Sequence, residues 1–132
     1  MKKILIEKLM RNSIDVNTEE IQWYCFKGEP KLCVRIEEGT KDKTTLYDEN
    51  LNIIDDVLSI NDKKENRACD DLIKQTYVLA KKLVKSFKFV RIDFMVYQNK
   101  VYFEELTFTP YSGMHFNMNK KFNKYLGSLI NL

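Results

Sequence analysis

The sequence predicts an α+β fold, an antiparallel sheet of five or six strands with one long helix packed on it. Three observations carry that prediction. Residues Phe89 to Tyr97 alternate with period two, placing Val90, Ile92, Phe94 and Val96 on one face and Arg91 and Asp93 on the other. The runs Ile21–Phe26 and Lys31–Glu37 are rich in aromatic and β-branched residues and flank a Lys-Gly-Glu-Pro turn, the pattern of a hairpin. Between these regions, Ala68 to Ser86 carries a helical repeat.

In chain order, Ile4-Leu5-Ile6 reads as a short buried strand that leaves the core at Glu7-Lys8. Arg11 to Glu20 is polar and aperiodic, hence a loop into the hairpin. Gly39 to Lys43 is a charged loop tip, Thr44 to Tyr47 a third short strand, and Asp48-Glu49-Asn50 the start of another turn. Asp55 to Asn66 carries many charges and reads as a surface connection. In the helix, Leu72, Thr76, Leu79, Leu83 and Phe87 recur at steps of three and four. Asp70 and Asp71 stand at its start and lysines at its end, as the helix dipole favours. After the alternating strand, Gln98-Asn99 turns the chain and Val101 to Phe108 runs back antiparallel. Pro110 to Met114 is a loop, and Asn119 to Leu132 closes with a short helix through Phe122, Tyr125, Leu126, Leu129 and Ile130.

The 132 residues make one domain, and 44% hydrophobic with 31% charged content describes a chain able to bury a core. Lys and Arg number 22 against 19 Asp and Glu, a net charge of +3 with both signs interspersed. That excludes a nucleic-acid protein driven by bulk charge. No apolar run approaches the roughly 20 residues of a membrane span. Met-Lys-Lys before Ile4-Leu5-Ile6 imitates a signal peptide, but Glu7 and Lys8 end the run, so a soluble, cytoplasmic protein is expected. Cys25, Cys33 and Cys69 form no C-x-x-C and the chain has one histidine, His115, so a zinc site is not expected. A Cys25–Cys33 disulfide across the hairpin is geometrically conceivable, but two small buried side chains are favoured in a reducing cytosol. The glycines Gly28, Gly39, Gly113 and Gly127 are scattered, which counts against a phosphate-binding loop.

The segment that carries chemistry is F-V-R-I-D-F, a turn, and E-E-L-T-F-T-P. Alternation puts Arg91 and Asp93 on one face about 7 Å apart, and likewise Glu105 and Thr107. Antiparallel pairing then gathers two carboxylates and an arginine on one patch. Two such carboxylates repel unless a cation lies between them, and oxygen ligands of this hardness suit Mg²⁺, with Arg91 beside it to hold a phosphate. A charged sheet surface with cross-strand pairs is the other reading of the same pattern. The register is open as well. A two-residue turn puts Glu104 opposite Asp93, whereas a three-residue turn puts Glu105 there and sends Leu106 and Phe108 to the core.

R-I-D-F followed by E-L-T-F-T-P-Y-S-G resembles the R-x-D-F and E-x-N-x-x-P-G strand pair of ATP-grasp carboxylate–amine ligases. Together with Y-C-F-K-G-E-P-K and the helix before F-V-R-I-D, it is similar to the TupA-like ATP-grasp family. That family is associated with teichuronopeptide and other cell-surface polysaccharide biosynthesis. The resemblance runs from Ile4 to Leu132 and implies a C-terminal ATP-grasp subdomain. It implies Asp93 and Glu105 as Mg²⁺ ligands and Arg91 as the arginine supporting the transferring phosphate. Thr107 stands where many relatives have a liganding Asn, so its hydroxyl coordinates weakly or not at all. The opening I-L-I-E-K-L-M resembles the strand leading to the adenine pocket, with Glu7 reading the nucleotide and Lys8 and Met10 offering backbone groups. Glu20 is a candidate for the ribose hydroxyls.

The same resemblance implies ATP and Mg²⁺ as cofactors and a reaction in which a carboxylate is phosphorylated and an amine attacks the acyl phosphate. The substrates would be a carboxylate and an amine on a surface-polymer precursor. An ATP-grasp fold closes a second, N-terminal lobe over the phosphates. The chain is therefore expected to be the C-terminal half of such a domain, acting with a separate lobe, or else a non-catalytic remnant or binding module of the fold. His115 is expected to be a loop histidine with no catalytic part.

Overall fold

The structure, a computed structural model, describes residues 18–37, 43–55, 67–110 and 118–130. Over these, β1 (Glu19–Phe26), β2 (Glu29–Glu37), β3 (Lys43–Asp48), β4 (Phe89–Tyr97) and β5 (Lys100–Thr107) form one sheet, with helices α1 (Asp71–Leu83) and α2 (Lys120–Leu129). The order is β3-β2-β1-β4-β5, and every neighbouring pair is antiparallel. The strand expected at Ile4–Ile6 lies outside the described residues, as do Glu7, Lys8, Met10 and His115. β1 begins at Glu19, two residues inside the expected loop, because Glu19 is drawn into the sheet by Arg35 of β2, whose Nε donates to its Oε2 at 2.9 Å.

The β1–β2 hairpin turns through Lys27 and Gly28, both in the left-handed region at φ 51° and 78°. Gly28 is required twice over, since an added Cβ would also lie 3.1 Å from the Lys85 carbonyl oxygen. The turn is tied to the connection after α1: Lys27 N donates to Lys88 O at 2.8 Å and Gly28 N to Phe87 O at 3.1 Å. Pro30, which has no N–H to give a ladder, sits opposite Cys25 where the register shifts. Cys33 is opposite Trp23, so the two cysteines do not face each other. All three are free thiols, and burial pushes Cys25 up to about 12.

One face of the sheet carries Ile21, Trp23, Val90, Ile92, Phe94 and Val96 and packs on Ile73 and Ala80 of α1 and on Val84 at its C-cap. Trp23 Nε1 donates to Thr76 Oγ1 at 3.0 Å, and that hydroxyl donates to Ile73 O at 3.0 Å, so the buried polar atoms are mutually satisfied. The long helix expected over Ala68–Ser86 is shorter, with 13 residues. Its fully buried positions are Ile73, Thr76 and Ala80; of the expected stripe Thr76 is buried, Leu72 and Leu79 pack half-buried on the same core, and Leu83 is 47% exposed. The cause is the cap. Asp70 Oδ1 accepts from Ile73 N at 3.1 Å while Oδ2 accepts from Arg35 Nη1 at 2.7 Å, so the sheet itself dictates where the helix starts and how it is rotated.

The opposite face carries Tyr24, Phe26, Leu32, Val34 and Leu46, covered by Met118 and by Leu126 of α2. Asn119 caps α2, its Oδ1 accepting from Phe122 N at 2.9 Å. Among the described residues no helix is long and apolar enough to cross a membrane.

Candidate functional site

β4 and β5 place the candidate residues. The Gln98-Asn99 turn, at φ 49° and 59°, pairs Tyr97 with Lys100, and that register continues as far as Phe94 opposite Phe103. A bulge then adds Glu104 to β5, so that Asp93 pairs with Glu105 and Arg91 with Thr107. The turn is thus the two-residue form, yet Glu105 and not Glu104 faces Asp93.

Within the patch, Arg91 grips Asp93 in a bidentate pair, Nε to Oδ1 at 2.8 Å and Nη2 to Oδ2 at 2.6 Å. Its Nη2 also lies 3.5 Å from Glu105 Oε1, and Thr107 Oγ1 donates to that same oxygen at 2.7 Å. Asp93 is 1% exposed, Arg91 8%. Glu105 is open to solvent, so a buried ion pair meets an accessible carboxylate at the sheet's edge.

The electrostatics follow from that gradient. Burial pushes the Asp93 carboxyl up to about 6 against the pull of Arg91, and the nearby carboxylates of Glu105 and Glu20 add to the rise. Glu105 is held below its ordinary value, first by the Thr107 hydroxyl and then by its hydrogen bond with Asp93. The Arg91 guanidinium is stabilised in its charged form by Asp93, against burial. A cleft of about 480 Å³ lies alongside, lined by Tyr24, Phe26, Phe89, Phe108, Leu126 and Ile130 among others. Tyr24 is opposite Arg91 in register and 4% exposed, so its ring shields the ion pair from solvent on that side.

Arg91, Asp93, Glu105 and Thr107 are therefore brought together. Glu20 lies on the same face of β1, opposite Met95, and its Oε1 accepts from Gln22 Nε2 at 2.6 Å. Its strand is anchored from behind, where Glu19 receives Arg35 and Arg67; Arg67 Nη1 donates to Glu19 Oε1 at 2.9 Å. Glu7, Lys8 and Met10 lie outside the described residues. Two neighbours escaped the sequence reading. Gln22 is opposite Asp93 and 3% exposed, and Tyr24 flanks Arg91. Alternation from Glu20 signals both, since 20, 22 and 24 share a face.

Among the described residues no group of three or more His, Cys, Asp and Glu side chains could hold a metal. The donors present fit a less demanding guest. Mg²⁺ takes one or two carboxylates and completes its shell with water and phosphate oxygens. Asp93 and Glu105 would be the carboxylates for such an ion, and the buried Gln22 Oε1, without a hydrogen-bond partner among the described residues, adds an acceptor to a face already rich in them.

The family model described as TupA-like ATPgrasp matches residues 1–131. No curated protein and no solved structure matches the chain.

Proposed function

The chain belongs to the TupA-like ATP-grasp family, and from that premise we propose that it is the Mg²⁺- and nucleotide-binding part of a carboxylate–amine ligase. The observation that carries this reading is Asp93 facing Glu105 across β4 and β5 with Arg91 on Asp93 and 3.5 Å from Glu105. Asp93 and Glu105 would hold the cation, which when bound neutralises charge on the phosphates. Thr107 orients Glu105 through its hydroxyl and is at most a weak ligand. Arg91 steadies the transferring phosphoryl group, as a planar donor fork suits. Glu20 receives the ribose hydroxyls, and Glu7, Lys8 and Met10 meet the adenine.

The residues named position charged groups and hold protons; none is a covalent nucleophile, and phosphoryl transfer needs none. ATP's γ-phosphoryl group passes to a substrate carboxylate, ADP leaves, and an amine displaces phosphate from the acyl phosphate to form an amide. The substrates we assign are a carboxylate and an amine on a cell-surface polymer precursor, of the teichuronopeptide or capsule kind, joined in the cytoplasm where ATP is at hand. A second ATP-grasp lobe, on another chain or another part of a longer protein, would close over the phosphates.

Calorimetric titration with a non-hydrolysable ATP analogue, with and without Mg²⁺, tests the reading. Saturable binding that needs Mg²⁺ supports it; no binding to a folded sample removes it. One observation favours a second reading, a binding module of the same fold without chemistry: both Asp93 oxygens are already engaged by Arg91. Under that reading the analogue binds, but no ADP forms when a second lobe and substrates are supplied.

A further inference from the structure

Gln22 lies along β1 between Glu20 and Tyr24, and across the sheet between Val34 and Asp93. Its side chain is buried, 3% exposed. Nε2 donates to Glu20 Oε1 at 2.6 Å, and among the described residues Oε1 has no hydrogen-bond partner. Turning the amide over offers no relief, because its oxygen would then meet the Glu20 oxygen at the same 2.6 Å. A buried acceptor left in this state carries its whole desolvation cost, and folded proteins keep few of them.

Among the described residues no side chain relieves it. Across the sheet Val34 is apolar, and a charged carboxylate can only accept. The Nε and Nη2 donors of Arg91 are directed at Asp93. The face therefore collects oxygens from Glu20, Gln22, Asp93 and Glu105 beside one guanidinium; Gln22, Arg91 and Thr107 donate to the carboxylates, and Gln22 Oε1 is left for a ligand that brings a donor.

We propose that Gln22 Oε1 is a further ligand-holding group of the site, accepting a hydrogen bond from a water of a hydrated divalent cation held at Asp93 and Glu105. The inference rests on the reading of those two carboxylates as cation ligands. Adjacent strands stand about 4.8 Å apart, a gap that a bridging water spans better than direct coordination does. Mg²⁺ keeps several waters when it binds, so such a donor is at hand.

The test uses Gln22→Met, which preserves volume and removes the acceptor together with the Nε2 donor to Glu20. Thermal unfolding of the apo chain is expected at or above the parent temperature, because a buried polar group is gone. Mg²⁺-dependent affinity for the non-hydrolysable ATP analogue is expected to fall about tenfold, the scale of one hydrogen bond to a charged partner. In the parent chain, adding MgCl₂ alone should displace the NMR resonance of the Gln22 side-chain amide. Lower apo stability with parental affinity overturns the proposal, making Gln22 a structural group. So does an unmoved Gln22 resonance while Mg²⁺ binds. A parent chain with no Mg²⁺-dependent binding at all overturns the cation reading itself, which is a different result from parental binding retained by Gln22→Met.

Discussion

Asp93 and Glu105 stand opposite each other across β4 and β5 because one extra residue, Glu104, is accommodated between them and the turn. An unbroken ladder from Tyr97–Lys100 would pair Asp93 with Glu104 instead. The bulge moves Glu105 into the place beside Arg91 and returns Leu106 to the α1 face of the sheet, where it packs against the core. Carboxylate placement and core packing are thus satisfied by the same irregularity.

Glu105→Gln should lower Mg²⁺-dependent nucleotide affinity by roughly tenfold or more, since a ligand charge is removed. Its cost in folding stability should stay below about 1 kcal/mol, the range for an exposed ion pair. Glu104→Gln should leave affinity within about twofold. Calorimetry on the two variants decides the matter, and greater damage from Glu104→Gln would mean that the bulged register does not present the site.

Asp93 should titrate near 6, read by the carbon resonance of its carboxyl group. Because its folded value is raised, the folded chain keeps this proton to higher pH than the unfolded chain does. The stability it contributes is therefore full below about 4 and is lost as pH rises through 6. Cation binding runs the other way, because it needs the carboxylate, so Mg²⁺ affinity should climb between pH 5 and 7. A midpoint below 4 would show that Arg91 outweighs burial.

Arg35→Met should destabilise the fold by about 3 kcal/mol, since a fully buried guanidinium shared by Glu19 and Asp70 is lost and both carboxylates stay behind. Arg67→Met removes a partner that is 38% exposed and should cost about 1 kcal/mol or less. Urea unfolding of both variants gives the comparison, and equal effects would contradict the central place of Arg35.

Gly28→Ala should cost about 1–2 kcal/mol, because φ 78° is the left-handed region and the new Cβ would meet Lys85 O at 3.1 Å. Asn99→Gly, at φ 59° in the other hairpin, should have the opposite sign and raise the unfolding temperature slightly. Loss of stability in both would falsify the turn assignment.

Much of the fold was legible because it rests on local periodicity. The alternation from Val90 to Val96 names the face on which Arg91 and Asp93 project, whatever the neighbouring strands do. Asn119 before Phe122 marks the start of α2, and Lys27-Gly28 marks a hairpin turn. α1 was read less well. The expected stripe of Leu72, Thr76, Leu79, Leu83 and Phe87 shares Thr76 with the buried set, and a period alone does not set the rotation that buries Ile73 and Ala80 fully and leaves Leu83 exposed.

From its own residues the chain determined its element types, the faces of its strands, the family signature around Arg91, Asp93 and Glu105, and an excess of acceptors near them. The tertiary structure alone decided three further things. It set the bulge at Glu104, the rotation of α1 through the grip of Arg35 on the Asp70 cap, and the burial of Gln22 beside Asp93. Each depends on groups from different strands or helices meeting in space. Alternation and capping are properties of a few consecutive residues, whereas register and desolvation come into being only when distant segments pack.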